Sequence, residues 1–217
     1  MSEVVSIERD GAEVARRRLE ATIATGGVAV FPADGLYGLA CDPLRADAIA
    51  RIHRIKGRSD GKPSAVLFFS PLILRELMGS LSELSREALA ALLPGAATVV
   101  VGNPDRRYPL ACGSDPDHLG IRLIETQLTS VATPLFQTSA NGAGEPAPSS
   151  FESVPEAILG AVDLAIDGGS LSGEPSTVVD VSDLEQGGEW RILREGGMPG
   201  AEVAERLSRL PPAHHRG

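Results

Sequence analysis

Lys56-Gly57-Arg58, with Lys62 close behind, is the part of this chain best suited to chemistry. Two cations separated by a glycine, between a helical stretch and an apolar run, suit the gripping of phosphate or carboxylate oxygens. From Arg51 to Lys62 there are five Lys/Arg and one Asp, a local charge of +4 in a chain whose net charge is −9. Positive charge gathered inside an acidic protein points to a dedicated anion site. The same residues also suit a solvated helix end, where cations meet the macrodipole. Charge alone leaves both readings open.

Three more groups have matching chemistry. Thr138-Ser139-Ala140-Asn141 sets hydroxyls and an amide where an apolar run ends. Phosphate oxygens or base edges are natural partners there, and a plain polar turn is the alternative. Ser176 sits at the entrance of one apolar run, and Arg194 closes another before Gly196-Gly197. Other chemistries lack their motifs. The chain has no GxxxxGK[ST] loop, no HExxH and no GxSxG elbow, and its four histidines show no metal-ligand spacing. His53 reads as a helix-surface histidine. With no evident nucleophile, catalysis would rest on positioning and charge neutralisation, as in phosphoryl or nucleotidyl transfer.

The elements that must position these residues read as follows. Residues 12–25 predict an amphipathic helix through Val14, Leu19 and Ile23, stopped by Gly26-Gly27. A strand spans 28–31 and ends at Pro32. Asp47 caps a helix with Ile49, Ile52 and Ile55 on one face, while Arg51, His53, Arg54 and Lys56 project elsewhere. A strand over 65–69 follows, and a Ser80/Glu83 capping box opens a helix through Leu93. Strands are predicted at 98–101, 120–124 and 135–140, with a short helix near 127–133. Residues 142–150 read as loop, 153–160 as helix and 164–166 as strand. A closing strand pair covers 177–181 and 190–193, and a helix covers 200–210. The outcome is a mixed α/β domain over 1–210, with 211–217 as a frayed tail.

Composition sets the outer bounds. With 217 residues, 42% hydrophobic and 23% charged, the chain can bury a large core. Its acidity excludes a surface that clings to nucleic acid as a whole, though a local basic groove stays compatible. Cys41 and Cys112 form no CxxC pair, which fits a reducing compartment. The N-terminus reads as no signal peptide and no run reaches membrane-spanning length, so the cytoplasm is expected.

Taken in order, these segments resemble the threonylcarbamoyl-AMP synthase family, the YrdC-type proteins in the short form without an extra C-terminal domain. Pro32-Ala33-Asp34-Gly35-Leu36-Tyr37-Gly38-Leu39 is similar to the family's Pro-Thr-Glu-Thr-x-Tyr-Gly-Leu. Lys56-Gly57-Arg58 matches Lys-x-Arg, Pro94-Gly95-Ala96-Ala97-Thr98 matches Pro-Gly-x-x-Thr, and Ile121-Arg122 its Val-Arg strand. Ser139-Ala140-Asn141 matches Ser-x-Asn, followed by Asp167-Gly168-Gly169, Ser176-Thr177-Val178-Val179-Asp180 and Leu193-Arg194.

The resemblance implies a twisted, open mixed sheet with flanking helices around a positively charged concave cavity (YrdC/RibB-like). It implies a nucleotidyltransferase that makes threonylcarbamoyl-AMP and pyrophosphate from ATP, L-threonine and bicarbonate, with Mg²⁺ accompanying ATP, for tRNA modification. In that scheme Lys56 and Arg58 are catalytic, and Ser139, Asn141, Arg194 and Lys62 hold nucleotide. Gly35, Arg122 and Ser176 then sit at the threonine, and no protein-bound metal is expected. Downstream tRNA-modification proteins are the implied partners. The alternatives are a non-catalytic paralogue binding nucleotide or RNA (tRNA or double-stranded RNA), and an adenylating enzyme with another carbamoyl acceptor. Several positions depart from the family pattern. Ala33 and Gly35 replace both threonines, Asp34 replaces glutamate, and Lys62 stands where a small polar residue is common. Ser59 and Glu195 each replace a proline.

Overall fold

Strands that are apolar at every position, rather than at alternate ones, are buried on both faces. Val28 and Val30 belong to one core cluster, and Ala29 and Phe31 to another. Val66 and Phe68 separate from Leu67 and Phe69 in the same way. The computed structural model describes residues 2–59, 61–128 and 131–210, and these runs lie there in one mixed sheet. Its strands are β1 (Glu3–Ser6), β2 (Ala29–Pro32), β3 (Tyr37–Cys41), β4 (Ala65–Phe68), β5 (Ala97–Gly102), β6 (His118–Leu123), β7 (Leu135–Ser139), β8 (Leu164–Asp167), β9 (Thr177–Asp180) and β10 (Arg191–Arg194). Across the sheet the order is β1-β8-β2-β3-β7-β4-β6-β5-β9-β10. Parallel pairs such as β4/β6 and β5/β9 alternate with antiparallel ones such as β2/β3, β4/β7 and β5/β6.

The helices are α1 (Ile7–Asp10), α2 (Ala12–Ala24), α3 (Ala46–Lys56), α4 (Pro71–Met78), α5 (Glu83–Leu92), α6 (Pro109–Cys112), α7 (Glu156–Leu159) and α8 (Gly200–Leu207). The larger core cluster joins Ile52 of α3, Leu77 of α4, Leu89 of α5 and Val203 of α8 to one face of the sheet. The second cluster joins Ala15, Leu19 and Ile23 of α2 to the other face, over β1, β8 and β2, and reaches Leu67 and Leu135. It takes no residue from β6, β5, β9 or β10. Half of that face is therefore left for the site. Among the described residues, no helix is long and apolar enough to cross a membrane.

Several expectations are corrected. In α2 the buried position is Ala15, and Val14 is exposed, because the apolar stripe runs through 15, 19 and 23. Arg45, not Asp47, occupies the N-cap of α3, and the Asp47 carboxylate pairs with Arg45 at 2.7 Å. Ser82 caps α5 by accepting from the Ser85 amide at 2.9 Å, while Ser80 Oγ donates to Leu77 O at the end of α4. Gln127 and Leu128 form a turn and 131–133 is not helical; residues 129–130, like the tail 211–217, lie outside the described residues. His53 and Lys56, expected to project away from the core, are each 5% exposed.

Two buried polar ties hold the site's frame. Fully buried Tyr37 donates through its hydroxyl to Gly169 O at 2.7 Å and accepts from the Gly168 amide at 2.9 Å, joining β3 to the turn after β8. Lys56, the last residue of α3, donates to Ser139 O, to Asn141 O at 2.7 Å and to Asn141 Oδ1 at 3.0 Å. The Ala143 amide returns to Lys56 O at 2.8 Å, so α3 and the chain after β7 are tied reciprocally. Burial, reinforced by neighbouring Arg58, pushes the Lys56 ammonium down to about 8.

Tyr37→Phe strands both backbone partners and is expected to cost about 1–3 kcal/mol of unfolding free energy, read by urea denaturation. Lys56 gives a pH signature. Its folded pKa lies below its unfolded value of 10.5, so between about pH 8 and 10.5 the unfolded chain holds more protons. Its contribution to stability therefore rises with pH across that window, by at most about 1.4 kcal/mol per unit. Denaturation of wild type and Lys56→Gln from pH 7 to 10 should differ in slope by an amount of that sign.

Candidate functional site

The open half-face is lined mainly by residues of one alternation phase, with Thr138 of β7 added from the other. Thr98 and Val100 of β5, Gly120 and Arg122 of β6, Gln137 and Ser139 of β7, and Val178 of β9 border a cavity of about 530 Å³. Ser176, just before β9, extends the last of these rows. The other phase, Val99, Ile121, Phe136 and Val179, packs into the larger core. The remaining wall comes from loops: Asp34–Tyr37 of the β2–β3 turn, Arg58, Pro63 and Ser64 before β4, and 174–176 before β9.

Three guanidinium groups face this cavity, and each is positioned differently. Gly57 ends α3 in the left-handed region at φ 59°, which a glycine adopts without steric cost. That turn separates two neighbouring cations: Lys56 stays inside and Arg58 swings to the cavity. Arg58 donates to Ser64 Oγ at 2.8 Å and Lys62 O at 2.9 Å, and contacts Thr138 Oγ1 at 3.4 Å and His53 Nε2 at 3.3 Å. Arg122 is 7% exposed, donates to Gln137 Oε1 at 2.9 Å, and lies 3.5 Å from Asp34 Oδ2. Arg194 ends β10, where pairing with β9 shifts register, and donates to Ser176 O at 2.7 Å and Ser176 Oγ at 3.2 Å. Ser176 Oγ in turn lies 2.8 Å from Thr98 Oγ1.

Burial is the main influence on all three. It lowers the pKa of Arg58 and of Arg194, and pushes Arg122 down to about 10, with Asp34 opposing the shift and Arg194 adding to it. The Nε–H groups of Arg58 and Arg122 are buried without a hydrogen-bond partner. Guanidinium groups dehydrated this far, and incompletely satisfied, gain from an oxyanion.

The expected site residues therefore divide. Arg58, Arg122, Ser139, Ser176, Arg194 and Gly35 line one cavity; Lys56, Lys62 and Asn141 are not among its lining residues. Lys62 is exposed and supplies only its carbonyl to Arg58. Asn141 is buried, accepts from Ser139 Oγ and from Lys56, and donates through Nδ2 to Glu145 O. Ser-x-Asn thus presents its serine to the cavity and uses its asparagine as framework. The positively charged cavity is corrected too: Arg58, Arg122 and Arg194 share the lining with Asp34, Asp115 and Glu174. His118 adds an imidazole whose Nδ1 lies 2.8 Å from Asp115 Oδ1.

Sequence reasoning gave no site role to Gln137, Ser64, Thr98, Asp115 or His118, although Thr98 closes the Pro-Gly-x-x-Thr segment. For Gln137 the signal was available, since it lies two positions from Ser139 on its strand. Asp34 borders a second, smaller cavity of about 210 Å³ as well, and Ala33 lines only that one. The two missing family hydroxyls therefore belong to different cavities.

The chain as a whole is similar to known proteins. A family model named Sua5_yciO_yrdC, described as "Telomere recombination", covers residues 21–196. A threonylcarbamoyl-AMP synthase of Xanthomonas campestris pv. campestris is 32% identical over 183 residues, covering 81% of this chain and 94% of that protein. One from Pyrococcus abyssi is 30% identical over 204 residues, or 88% of this chain, which spans only 57% of that relative's length. Among solved structures, P. abyssi Sua5 complexed with L-threonine superposes with a TM-score of 0.79 at 26% identity, covering 95% of this chain and 60% of that one. E. coli YciO gives 0.72 at 24%, covering 90% and 96%, a likeness of fold. With most of its length under one family model, and relatives at this identity, the chain belongs to the Sua5/YciO/YrdC family.

Proposed function

We propose that this protein is a nucleotidyltransferase that forms threonylcarbamoyl-AMP and pyrophosphate from ATP, L-threonine and bicarbonate. The observation that carries the reading is the convergence of Arg58, Arg122 and Arg194 on one cavity with Ser139 and Ser176. Such a wall suits a substrate with several oxyanions, and the chemistry needs no side-chain nucleophile. The threonine nitrogen attacks bicarbonate, water leaves, and a carbamate forms. A carbamate oxygen then attacks the α-phosphorus, and pyrophosphate departs. Arg58 and Arg194 take the phosphates and offset charge as it develops. Arg122, the deepest guanidinium, takes the amino-acid carboxylate beside Ser176. Lys56 acts at one remove, by holding Ser139 in place.

Among the described residues no group of three His, Cys, Asp or Glu could hold a metal ion. Mg²⁺ would enter with the nucleotide, with the phosphates as its main ligands. When bound it would neutralise phosphate charge. The mixed-sign lining and the net charge of −9 favour a small substrate over RNA.

Mass spectrometry of the products from ATP, bicarbonate and threonine tests the reading. Threonylcarbamoyl-AMP should appear only when all three are present, and Arg58→Ala should lower its formation by about 10²–10³-fold. Pyrophosphate release indifferent to threonine and bicarbonate would refute it.

A further inference from the structure

The family threonine at position 35 is a glycine here, and its space is filled. A Cβ on Gly35 would lie 2.1 Å from Glu174 O and 2.7 Å from Ser172 Oγ. The backbone before β9 therefore sits where a side chain would otherwise point. It is fixed there from both sides. The Gly173 amide donates to Gly35 O at 2.9 Å, with Gly173 in the left-handed region at φ 86°. On the far side, a Cβ on Gly196 would lie 2.3 Å from Pro175 O, and the Gly197 amide donates to that oxygen at 2.8 Å. Three glycines thus cradle the segment and set Glu174 on the cavity wall.

Glu174 differs from the other charged groups there. Asp34 faces Arg122, Asp115 faces His118, and each arginine has an acceptor within the protein. The Glu174 carboxylate, on a solvent-exposed residue at the rim of the lining, has no hydrogen-bond or ion-pair partner among the described residues. Every hydroxyl on the cavity wall is already engaged: Ser64 and Thr138 by Arg58, Thr98 and Ser176 by each other, Ser139 by Asn141, Tyr37 by the 168–169 turn. Glu174 is the acceptor in this lining that carries a full negative charge and has no partner among the described residues.

We infer that Glu174 is the specificity-determining residue for the acceptor, binding its ammonium group, and that Gly35 is the positioning residue that admits it. This deepens the proposed function and rests on it. An α-amino acid then spans from Arg122, at its carboxylate, to Glu174, at its amine. Selection rests on the ammonium rather than on a hydroxyl supplied from position 35.

Titration calorimetry on the intact chain tests this with L-threonine, its deaminated analogue 3-hydroxybutanoate, and MgATP. Glu174→Gln should weaken threonine at least tenfold, leave MgATP within twofold, and bind the deaminated analogue as wild type does. Glu174→Asp should recover part of the loss. Gly35→Ala, compared at matched unfolding midpoint, should weaken threonine without touching MgATP. Unchanged threonine affinity in Glu174→Gln overturns the inference, as does an equal loss for MgATP, which would make Glu174 a ligand of the nucleotide's cation. Wild type that binds MgATP but not threonine sinks the threonine reading instead. The same titrations then use lysine and ethanolamine: an amine lost in Glu174→Gln upholds the inference, and no amine bound by wild type overturns it.

Discussion

A cation buried in a sheet face must be partnered, and the middle of this fold is organised around that demand by Arg122. Its guanidinium is almost wholly removed from water, and dehydration alone would favour its loss of charge. Gln137 from β7 and Asp34 from the β2–β3 turn supply the acceptors. Gln137 reaches its place because residue 38 is glycine: a Cβ there would come within 2.8 Å of Gln137 Nε2. Three separate parts of the chain are thus committed to one guanidinium. Arg194 makes the arrangement less comfortable still, since its charge works against that of Arg122. An anion lodged between them would relieve that repulsion.

The charges nearby are divided by role. Lys56 and Arg58 are two residues apart, yet the left-handed turn at Gly57 sends one into the framework and the other to the cavity. The ammonium of Lys56 meets three backbone or amide oxygens and has no donor left for a ligand. Arg58 has five donors and keeps spare ones. Recognition here is therefore short-ranged. With a net charge of −9 and three carboxylates in the lining, the protein cannot gather anions by a broad positive field. The three guanidinium groups of the lining would have to hold them at close range instead.

Much of this was legible in the sequence. Period and glycine placement located α2, α3 and α5, six of the sheet's runs and the closing pair, because long apolar patterns with clear stops dominate local structure. β3 was not seen, since Tyr37-Gly38-Leu39-Ala40-Cys41 carries too many small residues to read as a strand. Yet Asp34-Gly35 between two apolar stretches is a hairpin signal. β1 is a four-residue edge strand whose pairing with β8 lies far away in sequence. The destination of Lys56 was hidden for the same reason. Its partners are more than eighty residues distant, and helical spacing says which face it leaves from but not what waits there. Arg58, Ser176 and Arg194 were singled out by charge and by their places at the ends of apolar runs, and Arg122 only because a resemblance links all four in order.

The departures at the front of the site take on a different meaning once packing is considered. A threonine replaced by glycine usually leaves a gap, and a gap in a binding wall costs contact and selectivity. At position 35 there is no gap, because Glu174 O occupies the space. Such close approach requires glycine at 35. It also requires the left-handed turn at Gly173 and the missing side chain at Gly196, against which Pro175 O presses. The three positions are therefore coupled, and a side chain restored at any one of them displaces the same segment. Their joint presence marks a wall rebuilt around backbone rather than a motif worn away. A wall built of backbone at this point, with an unpartnered carboxylate beside it, would discriminate by charge before shape.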